Sequence, residues 1–149
     1  MRCFVQTNLD VSVAEAWSAA KRPATLLRVT RGFLGFSGFE RIPSEWREGM
    51  VVHTRFWFFH LFPAWWSHTM TVKQIDEDRR VIASSECGGI IRVWNHTIRV
   101  SPAPPGCVYS DEIEIQAGLL TLFIWLYANI FYRYRQARWR QLSRELGQG

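Results

Sequence analysis

Two residues of this chain, His96 and Asp111, stand where chemistry is possible. In Arg92–Ser101, the residues Trp94, His96, Ile98 and Val100 alternate with Asn95, Thr97 and Arg99. In Cys107–Gln116, the residues Tyr109, Asp111, Ile113 and Ile115 alternate with Ser110, Glu112, Glu114 and Gln116. Alternation with period two predicts strands with one covered face. His96 and Asp111 both fall on the inward side. With a hairpin loop at Ser101–Gly106, Val100 is expected to face Cys107, and His96 to face Asp111. A carboxylate beside an imidazole fixes its tautomer and favours its charged form. Such a pair can work as general acid and base or anchor the polar group of a ligand. It can also do no more than satisfy two buried side chains.

A second unusual segment runs from Phe56 to His68 and is almost wholly apolar and aromatic. A strand in a half-solvated sheet cannot bury both faces. Some of these side chains therefore pack in the core, line a cavity, cover its mouth, or meet a partner or a membrane. His60, His68 and His96 have no spacing that resembles a metalloenzyme motif. Ser84, Ser85 and Cys87 have no nucleophile-elbow context. Gly32, Gly35 and Gly38 do not form a phosphate loop. No metal and no cofactor is expected.

The elements that position these residues follow from the pattern. Met1–Leu9 reads as a strand. Asp10, or Ser12 with Glu15 in a capping box, can cap a short helix over Val13–Ala20. A second short helix is expected over Ala24–Thr30, behind Pro23. Strands follow at Phe36–Ile42, Met50–Phe59, His68–Ile75, Arg80–Cys87, Arg92–Ser101 and Cys107–Gln116. In the third of these, His68, Met70, Val72 and Gln74 share one side. A long helix closes the chain, from Gly118 to Leu146. Leu119, Phe123, Leu126, Ile130 and Tyr134 form an apolar stripe on it, widened by Leu122, Trp125 and Phe131.

Bulk properties narrow the classes. The length of 149 residues suits one domain, taken as 1–149. Eight tryptophans and 15% aromatic residues suggest a wide apolar interior, an aromatic pocket or an interface. The formal charge is +5, but Arg133, Arg135, Arg138, Arg140 and Arg144 read as a solvated helix end that suits the dipole. No nucleic-acid motif accompanies them, so no nucleic-acid partner is expected. Cys3, Cys87 and Cys107 are odd in number and far apart, which fits free thiols in a reducing compartment. Residues Met1–Gln6 have no apolar signal core, so a cytoplasmic protein is expected. Residues Ile115–Tyr132 carry no charge and reach the length of a short membrane span. Gln116, Gly118, Thr121 and Asn129 interrupt them, and the helical pattern runs on into arginines. A helix buried against a sheet explains the same run.

The order strand, two short helices, about six strands, one long helix resembles the helix-grip fold of the START/Bet v 1-like superfamily. That group is also known for polyketide cyclases and dehydrases and for lipid transport. The chain is most similar to a bacterial ligand-binding subgroup, which reads G-P-x-x-x-W-x-H-x-H, then D-x-V-x-Y, then an aromatic–Arg–Tyr–Arg cluster. Here those pieces are Gly89–Ile98, Asp111–Ile115 and Tyr132–Arg135. The pattern's proline is Ile90, its second histidine Ile98 and its tyrosine Ile115, and the acid of the preceding strand is Ser84. The resemblance implies an α+β fold: a curved antiparallel sheet wrapped around a long C-terminal helix, with two short helices after the first strand. It implies a pocket whose polar side is partly lost.

The expected activity is binding of a hydrophobic small molecule, such as a lipid, isoprenoid or polyketide, by a carrier or sensor. Thr54, Phe56, Trp66, His68, Trp94, His96, Ile98, Asp111, Ile113, Phe123 and Tyr134 are the expected ligand contacts. Two other readings compete: a cyclase or dehydratase using His96 and Asp111, and a protein that touches a membrane surface transiently through Phe56–Trp66 and the C-terminal arginines. The sequence leaves the oligomeric state open.

Overall fold

The computed structural model describes residues 1–39, 42–59, 61–64 and 66–147. Strand β1 (Arg2–Leu9) alternates exposed and buried side chains, with Cys3, Val5, Thr7 and Leu9 inward. Helix α1 (Val13–Ala20) starts at the expected capping box, in which Ser12 Oγ accepts from the Glu15 amide and Glu15 accepts from the Ser12 amide. Helix α2 (Pro23–Thr30) carries its proline in the first turn, where the missing N–H has no helical partner to lose.

Eight strands follow, with shifts from the expected run that have local causes. They are β2 (Leu34–Phe36), β3 (Val51–Thr54), β4 (Phe56–Phe58), β5 (Phe62–Pro63), β6 (His68–Asp76), β7 (Val81–Gly88), β8 (Ile91–Ala103) and β9 (Gly106–Gln116). The main sheet has the order β1-β9-β8-β7-β6-β3, with every pair antiparallel. A small sheet, β2-β4-β5, stands beside it. The expected strand Phe36–Ile42 is short and begins earlier, at Leu34; its positions 40 and 41 lie outside the described residues. The expected strand Met50–Phe59 is split at Arg55 between the two sheets.

Two register details correct the sequence reading. The β8–β9 turn is tighter than Ser101–Gly106, because Ala103 pairs with Gly106 across Pro104–Pro105. Val100 therefore faces Tyr109, and His96 faces Ile113 rather than Asp111. In β6 the register shifts between Val72 and Gln74. The extra residue turns Gln74 out, and Ile75 packs on the core in its place, as a bulge must do where the side-chain period is two.

The chain closes with a 3-10 turn (Gly118–Leu120) and helix α3 (Thr121–Leu146), which lies against β1 and α2. Its buried face is opposite to most of the expected stripe; of the expected residues, Phe131 is buried and Trp125 packs half-buried on the core. Ala128, Phe131, Tyr132, Arg135, Gln136, Trp139, Leu142 and Ser143 are buried. Leu119, Leu122, Phe123, Leu126 and Ile130 are exposed, Phe123 at 67%. At 3.6 residues per turn these two sets lie on opposite sides of one helix. The inward face carries Arg135 and Gln136, so a search for the most apolar stripe selects the outer one. Arg135 is correspondingly buried and is not part of a solvated helix end. No helix among the described residues is long and apolar enough to cross a membrane.

This orientation has a measurable consequence. Phe131→Ala should cost about 3–5 kcal/mol, the usual loss for a buried phenylalanine. Ile130→Lys, one residue earlier, should change stability by no more than about 0.5 kcal/mol. Urea unfolding of both variants tests this, and the reverse ranking would refute the placement of α3.

Candidate ligand cavity

Between the concave sheet face and α3 lies a cavity of about 260 Å³. Its wall is mainly apolar: Leu34, Phe36, Phe56, Met70, Val72, Ile82, Ile98 and Phe131 contribute, with Trp46, Trp66, Trp94 and Trp139. The strand alternation brings one side chain from every second position to this face. Trp66 is seated on Gly89, whose φ is +55°. A Cβ there would come within 2.4 Å of the indole, so glycine is required both for the backbone and for the ring.

A belt of polar groups crosses the sheet floor. His68 on β6 places Nε2 2.9 Å from Glu86 Oε2. Ser84 Oγ donates to Glu86 Oε1 at 3.2 Å. Ser84 stands beside His96 in the β7–β8 register. His96 Nε2 lies 2.8 Å from Asp111 Oδ1, diagonally across β8 and β9. Asp111 is fully buried and has further donors. Tyr109 Oη donates to Oδ1 at 3.0 Å and Gln136 Nε2 to Oδ2 at 3.4 Å. Arg135 of α3 places Nη1 3.7 Å from Oδ1 and donates through Nη2 to Tyr109 Oη at 2.9 Å. The guanidinium also lies over the Tyr132 ring, 5.6 Å from its centre. Tyr132 Oη accepts from Trp94 Nε1 at 3.3 Å.

Burial by itself would raise the Asp111 carboxyl. The Arg135 cation, with His96 and Tyr109, outweighs it, and the net direction is down. Asp111 is thus a carboxylate, so His96 donates through Nε2. Burial likewise disfavours the charged form of Arg135, and the Asp111 carboxylate reverses that and holds it a cation. Burial pushes the Tyr109 and Tyr132 hydroxyls up, so both remain protonated. The centre is therefore an ionised pair in a shell of neutral hydrogen-bond partners. Its cavity-facing histidine is held in one tautomer, which suits a polar anchor or a proton donor and acceptor.

The structure separates the residues expected to contact a ligand. Phe56, Trp66, His68, Trp94, His96 and Ile98 line the cavity. Asp111 stands behind His96, and Ile113 is buried beside it in the core, away from the wall. Thr54 donates to the Ser37 carbonyl at 2.8 Å and is not in the wall. Phe123 is on the outer face of α3. Tyr134 packs on Phe33 and donates to the Arg31 carbonyl. His60 lies outside the described residues, and these contain no cluster of metal ligands. Sequence reasoning missed Glu86 and Arg135. Glu86 shares strand parity with Ile82 and Ser84, which was a readable signal; it supplies the inward carboxylate on the strand where Ser84 replaces the pattern's acid. Arg135 follows Phe131 and Tyr132 at helical spacing, but its charge pointed outward.

The sheet order, the two short helices and the C-terminal helix define the helix-grip fold. Comparison with solved structures agrees. A protein of Chromobacterium violaceum matches with a TM-score of 0.74 at 12% identity, over 95% of this chain and 96% of that one. A protein of Nitrosomonas europaea matches at 0.72 and 10%, over 100% and 97%. Norcoclaurine synthase of Thalictrum flavum, solved with dopamine and hydroxybenzaldehyde, matches at 0.68 and 14%, over 97% and 87%. No protein-family model and no curated protein sequence matches the chain.

The lowered Asp111 carboxyl fixes a pH dependence. Its folded pKa lies below the ordinary 3.8. The resulting stabilisation is complete above that value and is lost as pH falls through the folded pKa. Asp111→Asn should cost about 3–5 kcal/mol at pH 7, because it leaves Arg135 buried without its counter-charge. The gap to wild type should narrow as the pH is lowered below about 4. Urea unfolding between pH 2 and pH 7 measures both; a gap independent of pH would show that the carboxylate charge is not what holds the cluster.

Proposed function

We propose that this protein binds a small, largely apolar molecule in the cavity and acts as a carrier or sensor. The observation that carries this reading is a partly enclosed apolar space with a few convergent polar groups on one wall, the composition of small-molecule sites in general. At about 260 Å³ it lies near the lower end of the roughly 300–1,000 Å³ of such sites. The ligand is therefore compact, such as an isoprenoid, a short acyl chain or a small aromatic metabolite. That norcoclaurine synthase, with a similar fold, was solved with two small aromatic molecules supports the size class. Free Cys3, Cys87 and Cys107 suit a cytoplasmic setting.

One further observation favours a membrane as the source of the ligand. The outer face of α3 exposes Leu122, Phe123, Leu126 and Ile130. Its next turns expose Arg133, Arg140 and Arg144. Phe59, Leu61, Phe62 and Ile90 are also exposed, and Ile90 belongs to the cavity wall as well. Apolar side chains beside arginines suit an anionic lipid surface.

Native mass spectrometry of the purified protein, with extraction of the bound material, tests the binding reading. Recovery of one apolar compound at near-equal molar amount is expected. A compound returned chemically altered after incubation would indicate an enzyme instead. Cosedimentation with phosphatidylglycerol vesicles tests the surface reading: Leu126→Asp should reduce binding about tenfold, by losing about 1–2 kcal/mol of apolar burial. Equal binding of wild type and variant would exclude the α3 face.

A further inference from the structure

The hydrogen-bonding capacity of the cavity wall is unevenly used. The carboxylates are engaged: Glu86 by His68 and Ser84, Asp111 by His96, Tyr109 and Gln136. Two donors are not. Arg135 Nε is buried with no hydrogen-bond partner. The Tyr132 hydroxyl accepts from Trp94, and among the described residues no acceptor is found for its own proton. Arg135 is 4% exposed and Tyr132 2%. Both line the cavity, and the guanidinium lies over the Tyr132 ring. Buried donors left unpaired are costly, and a ligand that enters the cavity displaces any water serving them.

We infer that the ligand carries an uncharged acceptor oxygen, a ketone or ester carbonyl, that docks on Arg135 Nε–H and the Tyr132 hydroxyl. This rests on the cavity-binding reading above and deepens it. The oxygen is an acceptor because what Arg135 and Tyr132 leave over on this stretch of the wall is donors. It is uncharged because the positive charge of Arg135 is already met. Asp111 stands 3.7 Å from its Nη1, and Glu86 adds a second carboxylate to the wall. A carboxylate ligand would bring a third negative charge into an apolar enclosure that has one lining cation among its described residues. A buried anion without a counter-charge is strongly disfavoured. The carbonyl oxygen has two lone pairs, enough to take both donors.

Three probes of matched shape test this: 2-decanone, its hydrocarbon isostere 2-methyl-1-decene, and nonanoate. Affinities are measured by quenching of tryptophan fluorescence and referred to transfer from hexadecane for the two neutral probes. The ketone should bind about tenfold better than the alkene on that scale, the worth of a buried donor satisfied against one left unpaired. At pH 8, nonanoate should bind more weakly than the ketone. Isotope-edited infrared spectra of carbonyl-labelled 2-decanone in the wild-type protein should show the C=O band below its position in hexadecane. Arg135→Lys keeps the cation beside Asp111 but removes Nε; it should abolish most of the ketone's advantage and leave the alkene unchanged. If that variant does not fold, the wild-type affinity order and band position decide. Equal binding of ketone and alkene, an unshifted band, or tighter binding of nonanoate overturns the inference and leaves cavity binding standing. Uptake of none of the three overturns both.

Discussion

The contact between Asp111 and Arg135 joins the two halves of the molecule. Asp111 belongs to β9, near the middle of its strand, and Arg135 to α3. Both are almost fully buried. Two bare charges in such a place would be expensive, and their attraction offsets this only where the remaining hydrogen-bonding positions are filled. Those of the Asp111 carboxylate are filled by His96, Tyr109 and Gln136, and Arg135 donates to Tyr109. Each of these therefore has a fixed place. So does the rotation of α3, because turning the helix would withdraw a cation from its carboxylate. The apolar stripe on the helix exterior, with its greater hydrophobicity, does not prevail against that.

The same cluster sets the character of the cavity. His96 faces the space with its other nitrogen committed to Asp111. Arg135 is held from behind by Asp111 and Tyr109, and its buried Nε–H is left over. The rest of the wall is made by side chains that pack on the two core clusters, around Trp17, Tyr109 and Trp139 on one side and Ile113, Ile115 and Phe131 on the other. Packing density elsewhere in a protein interior leaves few voids. A partly enclosed space of this size is therefore a feature of how the sheet and helix meet, kept open by large rings that prop α3 away from the sheet floor. Tyr109 packed on Trp139, with centroids 4.4 Å apart and the rings tilted by 30°, is one such prop.

The small sheet has a different energetic standing. Its strands β4 and β5 are short, and Trp57, Phe59, Leu61 and Phe62 are exposed around them. It is linked to α3 through Phe33, which packs on Phe59 and on Tyr127, Phe131 and Tyr134, and to the main sheet through Phe56, which packs on His68. Segments with few buried contacts open at low free-energy cost. The aromatic richness of Phe56–Trp66 is thus divided. Phe56 and Trp66 go to the cavity, and Trp57, Phe59, Leu61 and Phe62 remain at the surface.

The sequence alone determined the element order, the inward parity of β8 and β9, the capped first helix and the long last one. These follow from local chemistry: period-two alternation, a Ser–Glu capping box, glycines and prolines at turns. It also placed His96 and Asp111 on one buried face, because parity survives an error of two residues in register. The tertiary structure decided the rest. The tight Pro104–Pro105 turn set the β8–β9 register and made the His96–Asp111 contact diagonal. The bulge after Val72 reversed the end of β6. Phe123 and Tyr134 left the expected site because α3 turned its arginine inward. Glu86 and Arg135 became the polar wall only when separate elements met. Hydrophobic periodicity reports where apolar area lies along a chain; which face of a helix is buried also depends on where a single charge finds its counter-charge, and that partner is supplied by a strand distant in sequence.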